Sequence, residues 1–443
     1  MNTIKTIKTS MLLFIVFCAC SFQLFSQNDN YSVLIANKAD EIEKKVINWR
    51  HDIHQHPELG NREFRTAKLI AKHLQSLGIE TKTKVGFTGV VGILKGELPG
   101  PVIALRADMD ALPVAEKNDL PFASKVKTDY NGKETSVMHA CGHDAHVAIL
   151  MGVAEVLSSM KKDLKGTVKF IFQPAEEGPP KGEEGGAKLM IKEGVLENPN
   201  VDVIFGLHMV SNKEVGKIVY RPGGLMAGVT DFKITVLGKP SHGSKPWTSV
   251  DPILVAAQIV TSLQQIVSRN VNLRANPAVV TIGAINGGNR SNIIPAQVEL
   301  LGDVRAFSTE DEDLIYRRIQ QIAEKTAEAA GATAIVELPY NGYVPPTFND
   351  LELTKNMLPS LQKSAGTENV ALVLPGTGAE DFSFFAQKVP GMYFGLGGMT
   401  KGQDPKTAGP HHTPEFIIDD AGFKTGVKAF CNLVFDFGEL DKK

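Results

Sequence analysis

A cysteine and a histidine separated by one residue are the first feature of this sequence that could do chemistry. Cys141 and His143 flank Gly142 in the segment Met-His-Ala-Cys-Gly-His-Asp. Thiolate and imidazole are ligands that proteins use for zinc and its first-row neighbours, and one tight turn could bring both to the same metal region. A buried thiol beside a loop that caps a helix is the alternative. The motif alone leaves a metal site and a structural loop open.

A pair of adjacent carboxylates favours metal chemistry. Glu176 and Glu177 follow the apolar run 168–172 in the segment Gln-Pro-Ala-Glu-Glu-Gly. Neighbouring carboxylates at a buried strand end repel each other unless a cation or a shared proton compensates. One of them could then be a metal ligand and the other a general base. A solvated acidic loop is the alternative, and Glu183 and Glu184 have the character of one.

Further polar clusters follow apolar runs that we predict to be strands. The residues in these clusters that could bind a metal are Asp108, Asp110, His208, His411 and His412. In open α/β sheets, ligands bind at the carboxyl ends of strands. We therefore expect the chemistry of this protein at that edge of the sheet.

Short apolar runs alternate with helical patterns along the chain. Helical periodicity is predicted near 31–55 and 63–77, and again over 145–157. Unbroken apolar runs bounded by glycine and proline predict buried strands, at 90–94, 102–105, 168–172, 203–205 and 392–396. This alternation predicts an α/β domain with a doubly covered, mostly parallel central sheet.

A different pattern from about residue 230 predicts a second unit. Residues 231–237 alternate polar and apolar side chains, as in a strand with one solvated face. The predicted order of strand, helix, strand, strand, helix, strand is that of a ferredoxin-like (split βαβ) α+β sandwich. Because the run 392–396 resumes the first pattern, this unit is expected to be an insertion. The predicted boundaries are 31–226 and 341–443 for the α/β domain, and 227–340 for the insertion.

The first residues, 1–26, are predicted to be a secretory signal peptide. Lys5 and Lys8 precede the apolar run 11–20, which is shorter than the roughly 20 residues that a membrane-spanning helix needs. A membrane anchor is a second interpretation, and lipid modification of Cys20 is a third. No later stretch approaches the length of a membrane helix. We therefore expect an exported protein, periplasmic or secreted, without a stable membrane span.

Charge and cysteine content exclude two classes of protein. With 47 Lys and Arg against 49 Asp and Glu, the formal net charge is −2, which gives no electrostatic basis for binding nucleic acid. The 4 cysteines are too few for a disulfide scaffold in 443 residues. Cys18 and Cys20 belong to the predicted signal, and Cys431 lies in an apolar stretch, where we expect a buried free thiol. A small-molecule enzyme is consistent with this composition.

Seven motifs, taken in order, resemble one family. They are RADMDALP (106–113), MHACGHDAHVA (138–148), QPAEEG (173–178), GLH (206–208), HGSKPW (242–247), GAEDF (378–382) and HHTPEF (411–416). They resemble the metal-dependent amidohydrolases and peptidases that include hippurate hydrolases, N-acyl-L-amino-acid amidohydrolases and auxin-conjugate (IAA-amino acid) hydrolases. The segment 50–59 is also similar to the start of that family, so the resemblance covers nearly everything after the predicted signal. It implies a zinc-peptidase-like catalytic domain.

The resemblance implies two divalent metal ions per subunit, which could be Zn, Mn, Co or Ni. The residues that match the family's ligands are Cys141, His143, Glu177, His208 and His412. Glu176 matches the general base. His411 is a rival to His412, and the small residue and proline after His412 favour the latter. Asp108 and Asp110 match positions that carry a ligand and its orienting carboxylate in relatives; here we expect both to support the ligands from behind.

The resemblance also implies contacts with the substrate. His242 matches a histidine that reaches a substrate oxygen, often across a dimer; an ordinary surface-turn histidine is the alternative. Asn292 and Arg305 resemble groups that hold the substrate's α-carboxylate, for which a planar guanidinium is suited. Glu380 matches an outer supporting carboxylate. The insertion resembles the family's lid and dimerisation domain, which implies a homodimer, and residues 179–184 depart from the glycines that the family usually has there.

Three functions are compatible with these features. The first is an exported hydrolase that cleaves the amide bond of N-acyl or aryl-acyl L-amino acids by metal-activated water, with Glu176 moving the proton and His242 facing the developing oxyanion. The second is a metallocarboxypeptidase or dipeptidase on short peptides, because only the acyl-side pocket separates the two. The third is a non-catalytic exported protein that closes on its ligand, for which Glu176 would have no use.

Overall fold

A computed structural model describes residues 31–440 of the chain. The predicted signal peptide, with Cys18 and Cys20, lies outside these residues. The helices are α1 (31–55), α2 (Phe64–Ser76), α3 (His143–Ser159), α4 (Gly186–Lys192), α5 (Pro252–Leu263), α6 (Thr309–Ala329), α7 (Leu351–Ala365), α8 (Phe382–Ala386) and α9 (Phe423–Glu439). Within 31–440, no helix combines the length and the apolar character needed to cross a bilayer.

The strands follow the same chain order. They are β1 (Glu80–Val85), β2 (Gly89–Lys95), β3 (Leu98–Asp108), β4 (Lys127–Tyr130), β5 (Lys133–Ser136), β6 (Lys165–Gln173), β7 (Val203–Glu214), β8 (Ile218–Tyr220), β9 (Gly223–Met226), β10 (Gly228–Leu237), β11 (Ser241–His242), β12 (Val279–Asn286), β13 (Ile293–Ile294), β14 (Gln297–Ala306), β15 (Thr333–Glu337), β16 (Tyr343–Val344), β17 (Thr347–Asn349), β18 (Val370–Leu372) and β19 (Gly391–Met399). The five apolar runs that predicted buried strands lie within β2, β3, β6, β7 and β19.

The described chain forms two compact units. The first comprises residues 31–219, 355–371 and 394–440, and the second comprises Tyr220–Thr354 and Leu372–Tyr393. These units are defined by how compactly their residues pack, which does not show where an inserted domain begins or ends. The predicted insertion at 227–340 therefore stays a prediction.

The first unit is built on an eight-stranded sheet that is mixed. The strand order is β1-β2-β6-β3-β7-β19-β8-β18. β3 runs parallel to β6 and β7, whereas β2 is antiparallel to both β1 and β6. The predicted α/β class is confirmed, and the sheet is mixed where a mostly parallel one was predicted. Only three residues, 86–88, connect β1 to β2, and a connection that short closes a hairpin, because parallel neighbours need a crossover of a dozen or more residues.

α3 positions the residues at the edge of this sheet. Every residue from His143 to Ala154 is buried, and the helix packs against α9 and against β3 and β7. An apolar helix that is covered all round has one well-defined place in the core. The first turn of α3, which begins at His143, is therefore held rigidly.

The second unit contains an antiparallel sheet covered by two helices. The sheet order is β12-β14-β10-β15, and along the chain the elements run β10, α5, β12, β14, α6, β15. Buried and half-buried residues alternate along β10, as its polar-apolar pattern predicts. Phe232 and Ile234 of this strand pack with Ile259 of α5 and Ile319 of α6 in one apolar core.

Glu312 makes the stability of the second unit depend on pH. It is only 2% exposed, and the Tyr343 hydroxyl donates to its Oε2 over 3.5 Å. Burial raises the pKa of Glu312 to about 7, against hydrogen bonds from Tyr316 and Tyr343 that lower it. Because the folded pKa lies above the unfolded value near 4.5, the carboxyl destabilises the fold progressively as pH rises from about 4.5 to above 7.

Replacing Glu312 by glutamine is expected to raise the free energy of unfolding at pH 8 by about 1 to 2 kcal/mol, a figure reduced for residual solvent screening. At pH 5 the change is expected to be small, because the glutamate is then protonated in the folded state. Thermal melts at both pH values test this. Glu324→Gln, an exposed site on the same helix, serves as the control, and an equal gain at both pH values would contradict the assignment.

Candidate metal centre

The turn before α3 presents Cys141 and His143 together. Gly142 between them has φ +96°, and a Cβ at this position would lie 3.0 Å from the Cβ of Met209. Glycine is suited to this left-handed conformation because it has no Cβ. Both flanking side chains are buried. The turn therefore brings a thiol and an imidazole into one enclosed region.

Three further side chains lie close to the Cys141 sulfur or to a residue that contacts it; they are those of His208, His412 and Glu177. Sγ lies 3.4 Å from Nε2 of His208 and 3.3 Å from Nε2 of His412. The same His412 nitrogen is 2.9 Å from Oε1 of Glu177. His412 has φ +63°, and its N–H donates to the carbonyl of Ala140 over 2.8 Å. The structure thus connects four of the five predicted ligands, His208, Cys141, His412 and Glu177, through a chain of close contacts.

His143 completes the group through a second cluster. Its donor atoms and those of Glu176 and Glu177 all lie within 4.8 Å of one another, as do those of Cys141, His143 and His208. Nε2 of His143 is buried, has no hydrogen-bond partner among residues 31–440, and is 4.0 Å from Oε2 of Glu176. An orphaned buried nitrogen is costly unless something binds it. This nitrogen lies close to sulfur, nitrogen and oxygen donors, and such a set of donors fits a divalent metal ion.

Asp110 makes hydrogen bonds that orient two of these donor residues, His143 and Glu177. Nδ1 of His143 lies 2.9 Å from the Asp110 carbonyl oxygen and 3.3 Å from its Oδ1. Oδ2 of Asp110 accepts the backbone N–H of Glu177 over 2.9 Å. When Nδ1–H is donated to these oxygens, Nε2 is the nitrogen left to bind a metal. Asp110 thus contacts both His143 and Glu177, and its supporting role in metal binding stays a prediction.

Asp108 contributes charge to the same region. Its Oδ2 accepts from Nη1 of Arg106 over 2.6 Å, and its Oδ1 is 3.7 Å from Nδ1 of His143. Burial would raise the pKa of Asp108, but Arg106, His143 and His146 outweigh it and hold the pKa well below the ordinary value. Burial by itself would lower the pKa of His143. Asp108 and Asp110 outweigh burial and hold this pKa well above its ordinary value. Surroundings that hold a proton this tightly also favour a metal cation.

His146 was missed by the sequence analysis. Its Nδ1 is 2.5 Å from Oδ1 of Asp108, and its Nε2 accepts the backbone N–H of Met209 over 2.8 Å. It therefore connects α3 to the strand that carries His208. The available signal was its spacing of three residues from His143, which places both on one helix face.

His411 and His412 are distinguished by their contacts. Nε2 of His411 accepts the backbone N–H of Ser211 over 3.3 Å, and its Nδ1 is 3.7 Å from the Cys141 sulfur. Burial, followed by the neighbouring His208 and His412, lowers the pKa of His411 to about 2. Hydrogen bonds to Cys141 and Glu177 raise the pKa of His412 to about 10. The contacts of His412 match the ligand role predicted for it more closely than those of His411.

A buried ionic network holds the start of α3 against α1. Nε of Arg50 donates to Oδ2 of Asp144 over 2.7 Å, and Nδ1 of His54 lies 2.8 Å from the same oxygen. Burial raises the pKa of Asp144, but Arg50 and His54 outweigh it, so the pKa is lowered. Because Asp144 directly follows His143, this network connects Arg50 and His54 to the start of the helix that carries His143.

The four other predicted site residues belong to the second unit. His242 is exposed at the end of β11, and its Nδ1 accepts the Ser244 hydroxyl over 2.8 Å. The N–H of Gly243 donates to the Asn292 carbonyl over 2.8 Å, so the loops carrying His242 and Asn292 are neighbours. Their contacts with substrate stay predictions.

Arg305 and Glu380 are each held by a partner within the second unit. Nε of Arg305 donates to both carboxylate oxygens of Asp303, over 2.7 and 2.9 Å. Oε2 of Glu380 accepts the Tyr393 hydroxyl over 2.7 Å, and Glu380 is buried. Glu380 thus occupies a fixed position, while the roles predicted for both residues stay predictions.

Comparison with known proteins identifies the family. The model of peptidase family M20/M25/M40 matches residues 104–436. The chain belongs to this family. It is 40% identical over 404 residues to thermostable carboxypeptidase 2 of Saccharolobus solfataricus, covering 91% of this chain and 98% of that protein. It is 38% identical over 390 residues to N-acetylcysteine deacetylase of Bacillus subtilis, covering 88% and 96%.

A solved M20 structure bears on the metal content. The YXEP protein of Bacillus subtilis, described as a dinuclear metal-binding peptidase of the M20 family, is 34% identical with a TM-score of 0.73. The match covers 90% of this chain and 99% of that one. The present chain is a metal-dependent M20 hydrolase, and its clustered donors fit a dinuclear divalent-metal centre. The expected cofactor class is confirmed, and the alternative of a non-catalytic binding protein is not retained.

Proposed function

We propose that this protein hydrolyses the amide bond of N-acyl or aryl-acyl L-amino acids. The observation that carries the proposal is the division of labour between the adjacent carboxylates. Glu177 touches His412 through Oε1 and is fixed by Asp110 through its N–H. Glu176 instead faces the orphaned nitrogen of His143. These contacts support Glu177 as a ligand and Glu176 as the group that transfers the proton.

The residues of the site divide the chemistry between them. Divalent ions held by Cys141, His143, Glu177, His208 and His412 would lower the pKa of water and polarise an amide carbonyl. Glu176 would accept the proton of the attacking water at its carboxylate and return it to the leaving amine. His242 is proposed to donate a hydrogen bond to the substrate oxygen that gains charge. Asn292 and Arg305 are proposed to bind the α-carboxylate.

A carboxypeptidase or dipeptidase is the second candidate. The 40% identity to thermostable carboxypeptidase 2 supports it, whereas the 38% identity to N-acetylcysteine deacetylase supports N-acyl substrates. Both reactions use the same proton transfer and release a free amino acid. They differ in the group on the acyl side, which is charged in a dipeptide and neutral in an N-acyl amino acid.

Matched substrates separate the two candidates. N-Acetylmethionine and glycylmethionine release the same amino acid and differ by one amine, and hippurate adds an aryl-acyl group. We expect kcat/KM for N-acetylmethionine to exceed that for glycylmethionine, and kcat/KM for hippurate to exceed that for glycylglycine, by at least about tenfold, because an unpaired ammonium group costs several kcal/mol to remove from water. A higher kcat/KM for the dipeptide would overturn the proposal in favour of the peptidase.

We further propose where the protein works and how it assembles. Removal of residues 1–26 would release an exported protein, periplasmic or secreted, and lipid anchoring at Cys20 is the alternative. The split βαβ element order from β10 to β15 supports a ferredoxin-like lid and dimerisation domain, and hence a homodimer. N-terminal sequencing of the exported protein and its mass in solution test these two points.

A further inference from the structure

Residues 60–63, here named the brace, pack against the loop that carries Glu176 and Glu177. A Cβ on Gly60 would lie 2.7 Å from the carbonyl oxygen of Gly178 and 3.1 Å from Cα of Ala175. Only a residue without a side chain allows the two backbones to approach this closely. The brace therefore touches the loop on both sides of the two glutamates.

Ala175, directly before the glutamates, has an unfavourable backbone conformation. Its φ is +51°, in the left-handed region that residues with a Cβ rarely adopt. Its N–H donates to Oε1 of Glu63 over 2.9 Å. Such a conformation persists only where the surroundings enforce it. The hydrogen bond to Glu63 is a contact that can enforce it, beside the longer 3.3 Å bond from the Gly178 N–H to the Ala175 carbonyl.

Glu63 is itself firmly held. It is buried at 0% exposure and occupies the N-cap position of α2. The Thr88 hydroxyl donates to its other oxygen, Oε2, over 2.5 Å. The acceptor that meets Ala175 is therefore fixed by a helix end and by a second hydrogen bond.

The brace also holds the far end of the loop. Nδ2 of Asn61 donates to the Glu184 carbonyl over 3.0 Å and to Oε2 of Glu183 over 3.1 Å. Nη2 of Arg62 pairs with Oε1 of Glu183 over 2.7 Å. These contacts reach the segment 179–184.

We propose that Glu63 is a positioning residue. It holds Ala175 in its left-handed conformation and thereby fixes the positions of the Glu176 and Glu177 carboxylates. The part that concerns Glu176 rests on the proposed function. The part that concerns Glu177 is a statement about metal binding, which can be measured without any substrate.

The test compares four variants of the full chain, each measured for Co²⁺ affinity by chelator competition, for the Co²⁺ absorption spectrum, and for kcat. Glu63→Met removes the acceptor and is expected to weaken Co²⁺ binding and lower kcat by about 10- to 100-fold, as changes behind metal ligands do. Adding Ala175→Gly to that variant is expected to restore at least about tenfold of the loss, because glycine adopts positive φ without cost.

Two conservative variants serve as controls. Glu63→Gln keeps an acceptor for Ala175 and is expected to stay within about threefold of the wild type in both measurements. Burial, followed by the charge of Asp110, raises the pKa of Glu63 to about 8, so a neutral amide is a close mimic at pH 7. Thr88→Val removes the hydrogen bond that helps to fix Glu63 but keeps the acceptor for Ala175, so its losses are expected to be smaller than those of Glu63→Met.

Wild-type Co²⁺ affinity in Glu63→Met would overturn the proposal. A loss of Co²⁺ affinity that Ala175→Gly does not relieve would also overturn it, because such a loss indicates general damage to the core. If Glu63→Met does not fold, Glu63→Ala replaces it, and unchanged Co²⁺ affinity in that variant would equally overturn the proposal. Failure of the wild type to hydrolyse any test substrate would refute the proposed function and leave the Co²⁺ comparison valid.

Discussion

Replacing Glu176 by glutamine is expected to lower kcat by about 10³-fold, within the range that general acid-base groups contribute. Glutamine has the shape of glutamate but cannot take up the proton of the attacking water. Glu176 faces His143 at 4.0 Å, whereas Glu177 makes the close contact with His412. The metal content is therefore expected to stay at the wild-type level. Steady-state kinetics and metal analysis of one preparation test both statements.

Glu184→Gln is the matched control for this prediction. Glu184 is exposed, pairs with Lys192 at 2.7 Å, and lies eight residues from Glu176. The same chemical change there is expected to leave kcat unaltered. Hydrolysis by Glu176→Gln within about tenfold of the wild type, with full metal occupancy, would remove Glu176 as the general base.

The second large effect is expected from Cys141→Ser, which should release metal. The sulfur of Cys141 lies within 3.4 Å of both His208 and His412, so it is central to the donor cluster. A hydroxyl is a harder and much less acidic donor than a thiol for zinc and its neighbours. The loss of metal affinity should exceed the roughly 10- to 100-fold that changes behind the ligands cause. Equilibrium dialysis against a chelator measures it.

Cys431→Ser provides the comparison for a buried cysteine outside the cluster. Cys431 is a free thiol in α9 with no exposed surface. Burying a hydroxyl there is expected to cost about 1 to 3 kcal/mol of stability and to leave metal binding intact. An unchanged metal affinity in Cys141→Ser would refute the ligand role of Cys141.

Local patterns in the sequence were sufficient for much of the fold. The five unbroken apolar runs are strands, and the alternation in residues 231–237 appears as alternating burial in β10. These patterns depend only on which side of an element faces the core. The hairpin of β1 and β2 was not predicted, because five of the six residues of β1 (Glu80–Val85) are polar and only Val85 is buried. An edge strand of this kind leaves little apolar signal in the sequence.

The clustered donors could be named from the sequence because they lie in short motifs with distinctive side chains. The residues that hold those donors in place were harder to find. Glu63 and Ala175 are 112 positions apart, and Asp108 and His146 are 38 apart. No periodicity connects such pairs; the topology of the sheet brings them together. The positive φ of Ala175 likewise depends on tertiary contacts, since alanine by itself disfavours that conformation.

The central claim is that hydrolysis depends on divalent metal held by the cluster around Cys141. The most direct measurement follows metal content per chain and hydrolysis of N-acetylmethionine together, while metal is removed with a chelator and then titrated back as Mn²⁺ or Zn²⁺. We predict that hydrolysis disappears with the metal and returns as about two equivalents are bound, the stoichiometry of a two-metal site. Hydrolysis that continues at its original rate in metal-free protein would contradict the account.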